Sequence, residues 1–272
     1  MNWHSVRVNP SGRDAALAAL FEAGAQGVHE DGAALVTHFP PEADVDRVID
    51  VVLEADPGAE VLVGQAPDTD WSEAWKGLLS LQTVGALTIT PPWLADGLDP
   101  ASTIVIDPAM AFGTGDHATT RGVTRLMQRI PIRDRRVADI GAGSAVLSIA
   151  AAKLGARTVS AVELDPDAIG NARENVERNQ VSDRVHVIEG DATVLLPLLA
   201  PVDVVLANIQ SSVHVLLLPT MAAALAPDGR AILSGILSDE RASLISQLDR
   251  DGWSIRDEDA EDIWWSATIS RR

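Results

Sequence analysis

Apolar positions recur in two rhythms along the chain, and the change from one to the other divides it. Residues 3–8 alternate as an extended run. Pro10-Ser11-Gly12 then opens a helix with Ala16, Leu17, Leu20 and Phe21 at helical spacing, ended by Gly24. Residues 27–29 and 33–39 are short extended runs joined by Glu30-Asp31-Gly32, a hairpin signal, and Pro40-Pro41 closes the pair. Val45, Val48, Ile49 and Val52 mark one face of a second helix, and residues 60–63 form a last strand. The order βαββαβ predicts a small ferredoxin-like domain over residues 1–65. Residues 66–85 break the rhythm. They read as a linker with a short helical segment at 70–76, in which Trp71 and Trp75 share a face.

From residue 86 the pattern is α/β. Residues 87–90 and 103–106 are short extended runs; strands at 136–140, 158–164, 185–189, 202–207 and 230–235 then alternate with helical stretches. That alternation predicts a doubly wound, mostly parallel sheet over 86–272. The tail departs from it, because the runs at 253–256 and 263–270 have no helix between them, only the acidic connection 257–262. They should pair antiparallel at one edge and bring the sheet to seven strands.

Composition narrows the class. The 272 residues are 46 % hydrophobic, enough for one large core and a small one, and no uncharged apolar run is long enough to span a bilayer. No membrane association is expected, and the cytoplasm is the expected address. Cysteine is absent, which excludes disulfides, thiolate metal sites and cysteine nucleophiles. A net charge of −18 opposes direct nucleic-acid binding and favours a basic partner. The first 65 residues hold three arginines and eleven acids, a net charge of −8, so the small domain is a candidate for recognising a basic protein.

The candidate chemistry begins at VADIGAGSAVL, residues 137–147, a buried strand that stops on an acid, passes two glycines and enters an apolar helix. Gly141 and Gly143 let the main chain approach a ligand, and position 146, where a dinucleotide fingerprint needs a third glycine, holds Val146. Glu163, Asp191 and Asn208 lie at or just beyond the ends of successive strands, on one rim. Glu163 suits ribose hydroxyls, about 20 residues beyond the loop as such acids stand. Asp191 suits an adenine amino group, with helix capping as its structural alternative. Asn208 offers an amide where chemistry would occur. Asp139 suits a ligand carrying an ammonium group, and S-adenosylmethionine carries both an ammonium and an adenosine. A nicotinamide oxidoreductase is the alternative that Gly141, Gly143 and Glu163 leave open. The six histidines have no metal-ligand spacing, and no P-loop surrounds either lysine.

DPAMAFGTGDHATT at 107–120, DIGAGS at 139–144 and Ala207-Asn208-Ile209 resemble the PrmA family, methyltransferases of ribosomal protein L11. The resemblance extends to Trp71, Trp75-Lys76 and Pro92-Trp93, and so covers nearly the whole chain. It implies S-adenosylmethionine as cofactor, ribosomal protein L11 as partner, methylation of lysine or N-terminal amines, and substrate recognition by the leading domain. A monomer is expected. Matched by position, Thr120, Gly141, Glu163 and Asn208 are the implied cofactor contacts, with Gly143, Asp139 and Asp191 beside them. Phe112 and Thr114 line the same pocket, where Phe112 would exclude water and Asn208 orient the acceptor amine. Two positions depart from the pattern. Ala145 replaces a glycine, acceptable where φ is negative, and Gln210 replaces a leucine at the acceptor rim. Their presence also leaves open a non-catalytic, ribosome-associated module.

Overall fold

The computed structural model describes residues 3–25, 27–65, 80–107 and 115–272. The chain divides into two compact units, Met1–Leu78 and Leu79–Arg272. The expected helical segment around Trp71 and Trp75 lies outside the described residues, as do Phe112 and Thr114.

In the first unit, β1 (His4–Asn9), α1 (Arg13–Glu22), β2 (His29–Asp31), β3 (Ala34–Phe39), α2 (Val45–Ala55) and β4 (Glu60–Gln65) follow one another. The strands make one antiparallel sheet in the order β2-β3-β1-β4. Its core is Val6, Val8, Leu20, Leu35, Phe39, Val48 and Val52. Asp44 caps α2 by accepting from the Arg47 N–H. Asp56, just beyond α2, accepts from the Ser11 and Gly12 N–H groups at 2.8 Å, tying the exit of one helix to the entrance of the other. The hairpin turn sits later than its sequence signal: Asp31 pairs with Ala34, leaving Gly32 and Ala33 as the turn. Gly32 has a φ of +63°, the conformation that glycine adopts without penalty, so it sets the turn and Asp31 stays in the strand.

The second unit opens with a three-stranded sheet of β5 (Gln82–Val84), β6 (Leu87–Thr90) and β7 (Thr103–Val105). β5 falls in the stretch read as linker; three residues are too few to show a period. The main sheet holds β8 (Arg136–Ile140), β9 (Thr158–Glu163), β10 (Val185–Glu189), β11 (Val202–Asn208), β12 (Leu225–Leu237), β13 (Trp253–Glu261) and β14 (Trp264–Arg271). Its order is β10-β9-β8-β11-β12-β14-β13. The first five strands are parallel, while β14 runs antiparallel to both β12 and β13. Helices α3 (Ala118–Met127), α4 (Val146–Lys153), α5 (Pro166–Arg178), α6 (Ala192–Leu199), α7 (Ser211–Ala224) and α8 (Arg241–Arg250) accompany it.

Successive strand residues enter opposite cores. Val137, Val159 and Leu206 pack with Leu126, Ile149 and Val176, whereas Ala138, Ile140 and Val205 pack with Leu196, Leu217, Met221 and Leu244. That alternation makes the sheet doubly wound. One expectation is corrected at the edge: Asp257 to Glu261 belong to β13, and only Asp262 and Ile263 connect it to β14. Acids can sit in this strand because arginines recur at every fourth position along α3 and just past its end. Arg121 donates to Glu261, Arg125 to Asp259 at 2.6 Å and Glu261 at 2.7 Å, and Arg129 to Asp257 at 3.4 Å.

Candidate active site

The order of the main sheet reverses at β8, whose two neighbours β9 and β11 are reached by connections leading to opposite sides. In open α/β sheets the crevice at that point, beyond the carboxyl ends of the strands, is where ligands sit. A cleft of about 680 Å³ opens there, between Gly141, Glu163, Leu164 and Asp191 on one side and Ile209, Gln210, Val213 and Leu216 on the other. Its volume falls in the range of small-molecule sites, roughly 300 to 1,000 Å³.

The glycine loop is held by main-chain bonds. The N–H groups of Gly141 and Ala142 both donate to the Val162 carbonyl, at 2.9 and 3.1 Å. Gly141 has a φ of +69°, and a Cβ there would come within 2.7 Å of the Ile209 side chain. The two halves of the switch point therefore meet at a position that only glycine fits. Gly143, with a φ of +52°, donates to Glu163 Oε2 at 2.7 Å, while Glu163 Oε1 accepts from the Leu164 and Asp165 N–H groups at 2.8 and 2.9 Å. Glu163 is thus a clasp between loop and strand end. A carboxylate offers about four acceptor sites, so three bonds leave one for a ligand.

The other expected residues take distinct positions. Asp139 is buried beneath the loop, 1 % exposed, and does not line the cleft. Its Oδ2 accepts from Ser148 Oγ at 2.6 Å, its Oδ1 has no partner, and burial raises its pKa to about 6 against the pull of Ser148. Thr120, in the first turn of α3, is fully buried with its hydroxyl unpartnered. Asp191 lines the cleft and also caps α6, accepting from Thr193 N–H and Oγ1 at 2.8 Å; these bonds hold its carboxyl below the usual range. Asn208 ends β11 half-buried, and its amide makes no hydrogen bond among the described residues. Gln210 stands at the rim as the residue before α7, without a capping bond from its side chain.

Ala145 corrects the condition placed on it. Its φ is +64°, not negative, and it precedes α4 in the left-handed region with its methyl fully buried. Sequence reasoning also missed the apolar walls. Leu164 and Leu216 line the cleft while 68 % and 71 % exposed, a surface suited to a flat aromatic face. The available signal was their position, directly after the rim acid Glu163 and six residues after Gln210.

An adenosine bearing an amino-acid tail fits these residues. Glu163 and Asp191 face the cleft as acceptors, Gly141 lines it, and Thr120 Oγ1 and Asp139 Oδ1 are buried polar atoms without partners. Among the described residues no group of three His, Cys, Asp or Glu could hold a metal, and no helix is long and apolar enough to cross a membrane.

Known proteins match the chain over almost its full length. Residues 4–272 fit the family described as ribosomal protein L11 methyltransferase (PrmA). A Deinococcus radiodurans protein of that name is 34 % identical over 274 residues, covering 96 % of this chain and 95 % of its own. Another from Thermus thermophilus is 35 % identical over 252 residues, covering 92 % of each. The crystal structure of a ribosomal protein L11 methylase from Lactobacillus delbrueckii subsp. bulgaricus superposes with a TM-score of 0.64 at 28 % identity, covering 71 % of this chain and 100 % of that one. With the 107–120 block, the glycine loop and the Asn208 turn on a sheet of the same kind, the chain belongs to the PrmA family of ribosomal protein L11 methyltransferases.

Proposed function

We propose that this protein transfers methyl groups from S-adenosylmethionine to amines of ribosomal protein L11. The observation that carries the reading is the cleft at the strand ends, where the Glu163 clasp on the glycine loop faces Ile209 and Gln210, the residues that directly follow Asn208. Glu163 accepts from a ribose hydroxyl and Asp191 from the adenine amino group, with Leu164 and Leu216 against the base. Gly141 and Gly143 flank the amino-acid tail, with Thr120 and Asp139 buried behind them, and Phe112 and Thr114 keep the pocket role that the family resemblance implies. S-adenosylmethionine, when bound, supplies a methyl group on a sulfonium and leaves as a neutral thioether.

The protein's own contribution is then geometric. An ordinary lysine, with a pKa of about 10.4, is neutral in roughly one molecule in two thousand near pH 7. An apolar mouth lowers that pKa by desolvation, and the Asn208 carbonyl oxygen orients the amine in line with the methyl group. No strong base is required.

The leading unit, whose sheet order β2-β3-β1-β4 supports a ferredoxin-like reading, serves as the recognition domain. Its net charge of −8 steers a basic protein towards it. The protein acts as a monomer in the cytoplasm. The test is methyl transfer from labelled cofactor to purified L11 at several salt concentrations. Incorporation into lysine or terminal amines, slowing as salt rises, is expected. A folded protein that binds S-adenosylhomocysteine yet labels no L11 would overturn the substrate, and one that binds neither cofactor form would overturn the reaction.

A further inference from the structure

His214 stands near the start of α7, between Val213 and Val215, and it is completely buried. Its Nε2 lies 2.8 Å from the Ser234 carbonyl oxygen. A carbonyl only accepts, so Nε2 carries the proton. Burial lowers the ring's pKa to about 4, against the smaller pull of the Ser234 and Ile209 carbonyls, which leaves the ring neutral near pH 7. Nδ1 is then a bare acceptor, and it has no partner. A buried acceptor without a bond costs roughly 1 to 3 kcal/mol. Leucine would fill this space without that cost, so the bond to Ser234 must serve a local purpose.

Ser234 is where that purpose lies. It stands beside Asn208 in the parallel register of β11 and β12. Its carbonyl accepts a second bond from the Ile209 N–H at 3.2 Å, so the turn after Asn208 and the imidazole share one acceptor. Its hydroxyl donates to the Thr119 carbonyl at 3.2 Å, beside Thr120, and meets Ser266 Oγ at 2.7 Å. Gly235 follows with a φ of +78°, where a Cβ would fall 2.4 Å from the Ile209 carbonyl oxygen. The Asn208 turn, the start of α3 and the kink in β12 are therefore tied at one residue.

We infer that His214 and Ser234 are positioning residues that hold the Asn208 amide in place for the acceptor amine. This rests on the methyl-transfer reading above. Without His214 the Ser234 carbonyl loses one of its two donors, and the turn carrying Asn208, Ile209 and Gln210 gains freedom at the acceptor side of the cleft. The glycine loop and Glu163, bonded elsewhere, keep their geometry.

Two variants test this. His214→Leu removes the donor but suits the apolar surroundings, and His214→Gln carries an N–H of similar reach. The leucine variant should melt no lower than the wild type and bind S-adenosylhomocysteine within twofold. Its kcat on L11 should fall roughly ten- to hundredfold, the scale on which displacement of a reacting group acts. The glutamine variant should recover most of that loss. In parallel, amide exchange at Ile209 should be about tenfold faster in the leucine variant and near normal in the glutamine variant. An unchanged kcat in the leucine variant, or a glutamine variant no better than it, would overturn the inference. Should the wild type methylate nothing, the functional reading falls, and Ile209 exchange alone still decides the tether: unchanged exchange overturns it, faster exchange supports it.

Discussion

The parallel and antiparallel halves of the main sheet treat charge in opposite ways. At the edge, four acids of β13 meet arginines: Glu261 and Asp259 face Arg121 and Arg125 of α3, Asp257 faces Arg129 just beyond the end of that helix, and Glu258 accepts from Arg241 at 2.7 Å. The bond to Asp259 raises the pKa of Arg125, and the bond to Arg121 lowers that of Glu261. In the parallel half the buried titratable groups are few and half-satisfied. Asp139 and His214 each make one side-chain bond and leave one polar atom bare. The edge consumes its polar groups in holding the fold together, whereas the region around the cleft keeps some in reserve. The first half should therefore answer to pH and the second to salt.

The largest effect expected is on the pH dependence of stability. His214, whose pKa falls on folding, leaves the unfolded chain to take up the proton first. Its contribution is intact above about pH 6.5 and is lost as pH falls towards 4. Asp139, raised to about 6, works in the opposite sense, because the folded state takes the proton first and gains stability as pH falls from 6 towards 3.8. At 1.36 kcal/mol per pKa unit each amounts to about 3 kcal/mol, and the two nearly cancel. Urea unfolding at pH 7 and pH 4 should show the gap between His214→Leu and wild type widening in the variant's favour by about 3 kcal/mol. A gap independent of pH would mean that the imidazole exchanges protons freely with water when folded, and the contrast between the halves would weaken.

Next in size is Arg125→Ala. It leaves Asp259, whose side chain is only 9 % exposed, with a single longer pair to Arg129 at 3.3 Å, and removes half of the Glu261 interaction. Loss of a partly buried charge-assisted pair should cost about 2 kcal/mol at low salt and less in 1 M salt, without altering S-adenosylhomocysteine affinity. Glu163→Ala should do the reverse. Binding measured by calorimetry should weaken by about 1 to 3 kcal/mol while the melting temperature moves little, since the N–H groups it releases face water or ligand. Equal effects of both variants on binding and stability would erase the distinction between the halves.

Much of this was legible in the chain, for reasons that differ by element. The parallel strands stand out because burial on both faces makes them short continuous apolar runs, and Gly141, Glu163 and Asn208 are legible as strand-end residues once the strands are placed. For Asp191 the sequence offers an adenine contact or a helix cap, and the structure shows the capping bond. The acidic run in β13 reads as a connection because alternating acids carry no apolar period. The compensating signal was nonetheless present in Arg121, Arg125 and Arg129, spaced by four against acids spaced by two. The His214–Ser234 tie was not legible. It joins positions 20 apart through a carbonyl, a group every residue carries, and only the fold selects which one.

The smallest effect expected concerns Ala145, an alanine in the left-handed region at the end of the glycine loop. At φ +64° and ψ +18° an alanine carries a left-handed penalty of roughly 1 kcal/mol that glycine would not. Its methyl is fully buried in the core shared with Ile149 and Leu206, and removing one buried carbon forfeits about 0.8 kcal/mol. Glycine would also widen the unfolded ensemble by about 0.4 to 1 kcal/mol. These terms leave Ala145→Gly neutral to about 1 kcal/mol less stable, a fall in melting temperature of about 4 °C at most for a unit of this size. Cofactor affinity should stay within twofold, because the bonds from Gly141, Ala142 and Gly143 that set the loop lie upstream of it. A gain in stability would show the methyl to be crowded rather than packed. The glycine loop would then join the parallel half in holding strain as well as unpaired polar groups, and Ala145 would belong with Asp139 among the features the fold retains at a cost.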